Sequence, residues 1–307
     1  MTSIAIVALL SLLRFPLSAE AGHEDAGLAC AIEQHYPAEL SAFAQFHHLT
    51  ENRQQAYVEL EIAHVSYVVV AYTGGYVGAV VLMSRSSSGA YVVDQEIVGH
   101  GQEGKDPFVD AVDVDGDHNA EVVVRFHLPR GADTAIYRII NHHMEVISPM
   151  DDGISRLGYP AILDLGNGKK DLIDVHMSGD LSDPTIGYYH YALRQGQYVE
   201  STKVYFYYVF NREAKRRNTR MIRFPIPASL IGKRFAMTIV NGESDGKDRA
   251  DHIRVTLNGV KLKSANDDNS KHRKAWTVPV TLRQDNMIAV ELSGNPRGQV
   301  AIVVQHK

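Results

Sequence analysis

The rhythm of apolar and polar positions changes once, early in the chain. Residues 25–46 have helical composition, with apolar Leu28, Ala31, Ile32, Leu40, Phe43 and Phe46, and Pro37 predicts a break into two pieces. From Tyr57 onward the pattern switches to period two and to β-branched runs, which predicts strands. The run Val68 to Tyr72 is followed by glycines at 74 and 75, then by Gly78 to Met83, a polar turn from Ser84 to Gly89, and Tyr91 to Val93. Val122 to Phe126 leads through a turn around Pro129 to Asp133 into Ala135 to Ile140, and after Asn141-His142-His143 into Met144 to Ile147. Leu172 to Val175 leads through a loop at Gly179 to Pro184 into Ile186 to Leu193, and after Arg194 to Gln197 into Tyr198-Val199.

These three segments are copies of one plan. Corresponding points (Val69, Val123 and Ile173; Tyr91, Met144 and Tyr198) lie 50 to 54 residues apart. Each predicts three or four antiparallel strands, and a fixed period of about 50 residues with short strands is the mark of propeller blades. The predicted class is all-β: a short propeller-like array of about three antiparallel blades behind an N-terminal helical segment, followed by a small β-sandwich. The sandwich is read from Tyr205 to Phe210, Arg234 to Val240, His252 to Leu257, Trp276 to Val280, Met287 to Leu292 and Val300 to Val304. Turn residues separate these runs at Asn241-Gly242, Asn258-Gly259, Asp285-Asn286 and Pro296 to Gly298.

The most specific motif precedes the second unit's central run. It reads DVDGDHNAE from Asp113 to Glu121. Asp113, Asp115 and Asp117 alternate, Gly116 permits a tight turn, and strand-like runs flank both sides. Ca²⁺ takes six to eight hard oxygen ligands, and carboxylates spaced this closely on a tight loop wrap one ion. Without a cation, four carboxylates in nine residues repel one another. An EF-hand fits poorly, because its glycine falls at the sixth position and its flanks are helical. The stretch resembles the FG-GAP/VCBS repeats of integrin-like β-propellers. The resemblance implies side-chain ligands at Asp113, Asp115 and Asp117, a backbone carbonyl from Asn119, and Glu121 closing a Ca²⁺ site. His118 stands where the family usually has glycine or another small residue. A decayed copy begins at Asp164, where the middle carboxylate is missing and Lys169 and Lys170 add positive charge, so no Ca²⁺ is expected there.

Residues 233–304 resemble the small β-sandwich found near the C-terminus of many exported bacterial repeat proteins. The match is carried by Val240-Asn241-Gly242, Arg254 to Val260, Val278 to Leu282, and Met287 to Leu292 with Gly294. Such modules are accessory domains, and the resemblance brings no catalytic residues.

Composition adds compartment and surface. Hydrophobic residues make up 45% and charged residues 22% of 307, an ordinary globular balance. Ile4 to Leu13 is a ten-residue apolar run, the length of a signal-peptide core and too short to span a bilayer, and Ala19-Glu20-Ala21 offers a cleavage pattern. Export to the periplasm or beyond follows as an expectation. The organisation expected is 1–21 signal peptide, 22–52 helical segment, 53–202 blade repeats, and 203–307 β-sandwich with a basic linker at its start. Cys30 is the single cysteine, which excludes an intrachain disulfide, and it reads as a small buried helix residue.

Net charge is −5, but residues 1–200 hold 11 basic against 27 acidic side chains, while residues 201–307 hold 20 against 9. The basic stretch Arg212, Lys215, Arg216, Arg217, Arg220 and Arg223 suits a linker or a polyanion contact better than nucleic acid, since no nucleic-acid fold surrounds it. Among fifteen histidines there is no H-E-x-x-H, and the chain has no G-x-S-x-G and no P-loop. His127 with Asp133, and His176 with Asp180, read as residues of blade-tip loops. The function expected is a Ca²⁺-binding, exported, non-catalytic module that binds a protein or glycan at the cell envelope. The alternatives are a Ca²⁺-assisted polysaccharide lyase or hydrolase on a reduced propeller, and a self-associating structural envelope protein.

Overall fold

The computed structural model describes residues 26–38, 40, 53–74, 77–100, 105–128, 131–151, 154–155, 157–158, 160–165, 169–178, 185–212, 218–242, 248–262 and 275–306. The apolar N-terminal run, its cleavage pattern, Phe43, Phe46, Asp180 and Lys215 to Arg217 lie outside them. The chain divides into two compact units, Met1–Tyr36 and Pro37–Lys307. In the first, helix α1 (Ala26–Gln34) buries Leu28, Ala31 and Ile32. Cys30 is exposed, contrary to the sequence expectation, and its sulfur accepts a hydrogen bond from Gln34 Nε2 at 3.2 Å. The helical period explains this: a buried stripe through positions 28, 31 and 32 turns position 30 to the opposite side.

Beyond helical Ala38 and Leu40 and one short 3-10 turn at Ala228–Leu230, the regular structure of the second unit's described residues is all β. Strands β1 (Gln54–Ile62), β2 (Val65–Thr73), β3 (Gly78–Arg85) and β4 (Tyr91–His100) form an antiparallel meander in chain order. A second meander repeats this with β5 (Lys105–Val112), β6 (Glu121–Leu128), β7 (Gly131–Ile140) and β8 (His143–Val146). After a short hairpin of β9 (Met150–Asp151) and β10 (Ile154–Ser155), a third group follows: β11 (Ala161–Asp164), β12 (Lys170–Ser178), β13 (Thr185–Arg194) and β14 (Gln197–Glu200). Two-residue turns close three of these hairpins. Ala63-His64, Asn141-His142 and Gln195-Gly196 all have positive φ at both positions, the geometry that matches strand twist.

Each sheet shares its faces with its neighbours. Tyr67, Val69, Ala71, Val80 and Leu82 of the first meander pack with Val122, Val124, Phe126, Ala135, Tyr137 and Ile139 of the second. On the second meander's other face, Val123 and Ile136 join Ile147 and Leu157 against Leu172, Tyr191, Leu193 and Tyr198 of the third group. Central strands are thus buried on both faces, which is why Val68 to Tyr72 and Val122 to Val124 are unbroken apolar runs and not alternating ones.

The remaining strands are β15 (Val204–Asn211), β16 (Asn218–Pro225), β17 (Arg234–Asn241), β18 (His252–Leu257), β19 (Val260–Lys261), β20 (Ala275–Thr281), β21 (Asp285–Ser293) and β22 (Gln299–His306). The third group continues into them as one eight-stranded sheet, in the order β11-β12-β13-β15-β22-β17-β20 with β14 beside β13. A four-stranded sheet, β16-β21-β18-β19, shares a core with it. That core takes Phe206, Phe210, Phe235, Met237, Ile302 and Val304 from the first sheet, and Phe224, Ile253, Val255, Ile288 and Val290 from the second. The basic stretch is therefore not all linker: Arg220 and Arg223 lie in β16, whose inward residues Ile222 and Phe224 pack on this core. The alternation of Ile222 and Phe224 with outward Met221 and Arg223 is the strand signal that charge obscured.

Candidate metal centre

The acidic loop spans the connection from β5 to β6, and the pairing of Val112 with Glu121 holds its two ends together. Inside it the carboxylates organise the backbone. Asp113 accepts from Gly116 N at 2.8 Å and His118 N at 3.2 Å. Asp115 accepts from Asp117 N at 3.2 Å, and Asp117 from Asn119 N at 2.8 Å. Such side-chain-to-backbone bonds are what short acidic residues form in turns. Gly116 and His118 both sit at positive φ, +82° and +73°. Glycine meets that demand without strain, and histidine does not.

One ligand-capable oxygen from each of Asp113, Asp115 and Asp117 lies within 4.8 Å of the others. The Asn119 N–H drives the Asp117 carboxyl below its ordinary range, with smaller help from the Arg138 charge. Glu121 is turned elsewhere. It is buried, its Oε2 accepts the Val114 N–H at 2.9 Å, and its Oε1 accepts Nε and a terminal nitrogen of Arg138 at 3.0 and 2.9 Å. The same guanidinium reaches Asp115 Oδ2 at 2.6 Å. Burial pushes the Glu121 carboxyl above its ordinary range, against the opposing pull of the Val114 N–H and Arg138. Burial also works against the Arg138 charge, but the bonds and charge of Glu121, with the charges of Asp115 and Asp117, outweigh it and hold that guanidinium protonated more firmly than usual.

The loop also touches the third group of strands. Lys170 N donates to Val114 O at 2.9 Å, and the Tyr198 hydroxyl donates to Lys170 O at 2.8 Å. Burial raises the Tyr198 hydroxyl far above its ordinary range, and the charges of Glu121, Asp171 and Asp115 add to that.

The structure therefore brings together Asp113, Asp115 and Asp117, places Asn119 as a donor to Asp117, and directs Glu121 to a cation of the protein's own. Arg138 is the functional residue the sequence reading lacked. Its signal was available in the strand register, because Val122 pairs with Tyr137, which sets Arg138 opposite Glu121. Other expectations need correction. His127 and Asp133 lie within β6 and β7, paired to Ala132 and Phe126, and His176 lies within β12, paired to Gly187, so none of the three belongs to a loop. The ladder hydrogen bonds continue past the end of each apolar run, which is all the sequence pattern marks. His127 is half-buried, and burial with the nearby Arg125 charge lowers its imidazole below the ordinary range while Asp106 pulls it back. A cavity of about 270 Å³ lies along the first meander, lined by Glu59, Glu61, Ser66, Arg85 and Tyr91 among others, and His127 does not line it.

No family model matches the chain, and no curated protein matches it. Among solved structures, an exo-β-1,3-galactanase from Phanerochaete chrysosporium bound to galactose matches at 11% identity over 82% of this chain and 68% of that one, with a TM-score of 0.23. An exo-inulinase from Aspergillus awamori matches at 9% identity over 82% and 66%, with a TM-score of 0.26. At such scores the likeness carries no argument about this chain. Its all-β character rests on its own strands.

Proposed function

We propose that this chain is an exported, Ca²⁺-stabilised repeat protein that binds a protein or glycan at the cell envelope. In this reading the three strand groups are FG-GAP/VCBS-like blades, and the C-terminal sheets are a β-sandwich accessory module. The observation that carries it is the convergence of Asp113, Asp115 and Asp117 oxygens within 4.8 Å on one hairpin loop. The donor set fits the ion: these are hard carboxylate oxygens, each also fixed by a backbone N–H. Arg138 bonds both the buried Glu121 and Asp115, so one positive charge stands against four carboxylates and the loop keeps a negative excess for a divalent cation. The ion would supply rigidity to the second blade and, through Lys170 and Tyr198, to its contact with the third. Its role is structural, and the binding surface is a matter of the blades it stiffens.

The solved structures named above are glycan-cleaving enzymes, which agrees with the second reading, a polysaccharide hydrolase, by name alone. One experiment tests the leading reading. After chelation, the melting temperature of residues 22–307 is followed as Ca²⁺ is added, for the parent and for Asp117→Ala, a variant that leaves every Arg138 bond in place. A saturating rise in the parent that disappears in the variant is expected. A flat response in the parent would overturn the Ca²⁺ reading.

A further inference from the structure

The cavity along the first meander is built by polar side chains that line up across four strands. Glu61 on β1 pairs with Ser66 on β2, and Arg85 on β3 pairs with Tyr91 on β4. The β2–β3 ladder runs to Tyr67 and Ser84, and its next step sets Ser66 beside Arg85, so the four stand in one row. Directly opposed residues share a face of a sheet, and so do alternate residues along a strand. Glu59 therefore joins the row from β1, and its partner Val68, 2% exposed, lies on the same face as an apolar floor. Glu59, Glu61, Ser66 and Arg85 are exposed, and Tyr91 is half-buried. The Arg85 guanidinium lies 5.7 Å from the Tyr91 ring centre, and its Nε donates to Gly89 O at 3.4 Å. The space these residues line measures about 270 Å³.

The mixture of groups decides what the row can hold. An anionic guest is repelled by Glu59 and Glu61, and a cationic guest meets the Arg85 charge beside the Tyr91 ring, so like-charge contact disfavours both. A carboxylate only accepts hydrogen bonds, and a guanidinium only donates them. A guest that satisfies both carries groups able to do either, and hydroxyls are such groups. The Tyr91 ring and the Val68 floor call for an apolar surface on the same guest. A neutral sugar ring has this combination, with hydroxyls around its rim and C–H groups on its faces. The volume falls just below the ~300 Å³ at which small-molecule sites begin, which suits a short stretch of glycan with the rest of its chain in solvent.

We propose that the row of Glu59, Glu61, Ser66, Arg85 and Tyr91 is a binding site for a neutral glycan. Glu59 and Glu61 accept hydrogen bonds from sugar hydroxyls, Arg85 and Ser66 donate to them, and one sugar ring packs against the Tyr91 side chain. This site rests on the glycan-binding reading above and gives it a place and a ligand class. It stands apart from the Ca²⁺ loop, which belongs to the second meander.

The test is native electrophoresis of the full chain through gels that contain laminarin, galactan, galactomannan or arabinoxylan, with heparin and polygalacturonate as anionic probes. Anisotropy of a labelled tetralysine peptide covers a basic protein segment. At least one neutral polysaccharide retards the parent, and its apparent affinity falls about tenfold or more in Glu59→Ala and in Arg85→Met, the loss of a hydrogen bond to a charged group. Both positions are exposed, so the fold is not at stake. Glu145→Ala, at an exposed position on β8, binds as the parent does. Equal retardation of the parent, Glu59→Ala and Arg85→Met would overturn this site and leave the glycan-binding reading standing. A parent that none of the four neutral polysaccharides retards would overturn both. Binding confined to heparin, polygalacturonate or tetralysine would overturn the neutral-glycan assignment.

Discussion

Arg138 is the cation on which the acidic loop closes, and replacing it with methionine keeps its bulk while removing the charge. Arg138→Met deletes three hydrogen bonds, two to Glu121 Oε1 at 3.0 and 2.9 Å and one to Asp115 Oδ2 at 2.6 Å. Glu121 is the costly partner, with a side chain only 2% exposed. Removing one member of a buried pair costs about 3–5 kcal/mol, because the other charge stays buried and uncompensated. The Arg138 side chain is 23% exposed, so water screens part of the interaction and the expected loss sits at the lower end, about 3 kcal/mol.

The pH dependence follows from the sign of the Glu121 shift. Burial already raises this carboxyl in the folded parent, and losing the guanidinium raises it further. A raised folded-state carboxyl favours the protonated form, so the penalty is complete only above the folded value, where Glu121 is ionised in both states. It is relieved as pH falls through that value and is gone below the unfolded value of about 4.3. Urea melts at neutral pH and near pH 4 read this directly. With a slope of about 3 kcal/mol/M, the variant's midpoint falls by about 1 M at neutral pH and converges on the parent in acid. Adding Glu121→Gln to Arg138→Met recovers part of the loss, because the amide needs no counter-charge. Equal midpoints at neutral pH, or a gap that persists unchanged in acid, would refute the reasoning.

Two further substitutions have signs set by local geometry. His118 occupies φ +73°, so His118→Gly relieves left-handed strain and stabilises the chain by about 0.5–1 kcal/mol, net of glycine's extra unfolded-state entropy. Scanning calorimetry should then show a rise of about 2 °C, and a fall would mean that the His118 side chain contributes more than its backbone costs. Asn241 is 1% exposed, and its side chain bonds both the N–H and the carbonyl of Ala250, at 2.8 and 3.1 Å. Asn241→Leu strands both groups and should cost about 2–4 kcal/mol in urea unfolding, whereas a loss under about 1 kcal/mol would show that water replaces the amide.

What was legible in the sequence follows from which forces leave a pattern in it. Burial on two faces writes unbroken apolar runs, so Val68 to Tyr72 and Val122 to Val124 marked their strands directly. Turn chemistry wrote Asn258-Gly259 at the β18–β19 hairpin, where both residues adopt positive φ. The three aspartates were legible because their spacing is local. Arg138 was not, because it meets Glu121 across a hairpin 17 residues long, and only the strand register brings them together. The same holds for Asp171, His190, Thr202 and Gln305, which span up to 115 residues in the bonds they share. Cys30 was misread because a helical stretch fixes a period but not its phase until the buried stripe is known.

The seam between the repeats and the C-terminal sheets shows how one strand can serve two cores. Backbone pairing across it is slight: β13 and β15 meet at the single register pair Tyr188 and Val204. On the other side of β15 the ladder to β22 shifts between Val204 and Phe206. A bulge inserts one residue and so inverts the alternation beyond it. Val204 faces the core shared with Leu163 and Ile173 of the repeats; past the shift, it is Tyr207 that faces that core, while Phe206 and Phe210 face the core between the two C-terminal sheets. Without the bulge, keeping Val204 on the repeat side would put Phe206 and Phe210 there too, and the second core would lose both aromatics. The seam is therefore held by side chains more than by ladder bonds. His190, Thr202 and Gln305 add their hydrogen bonds at the same point, linking β13 to β22 across the strand between them.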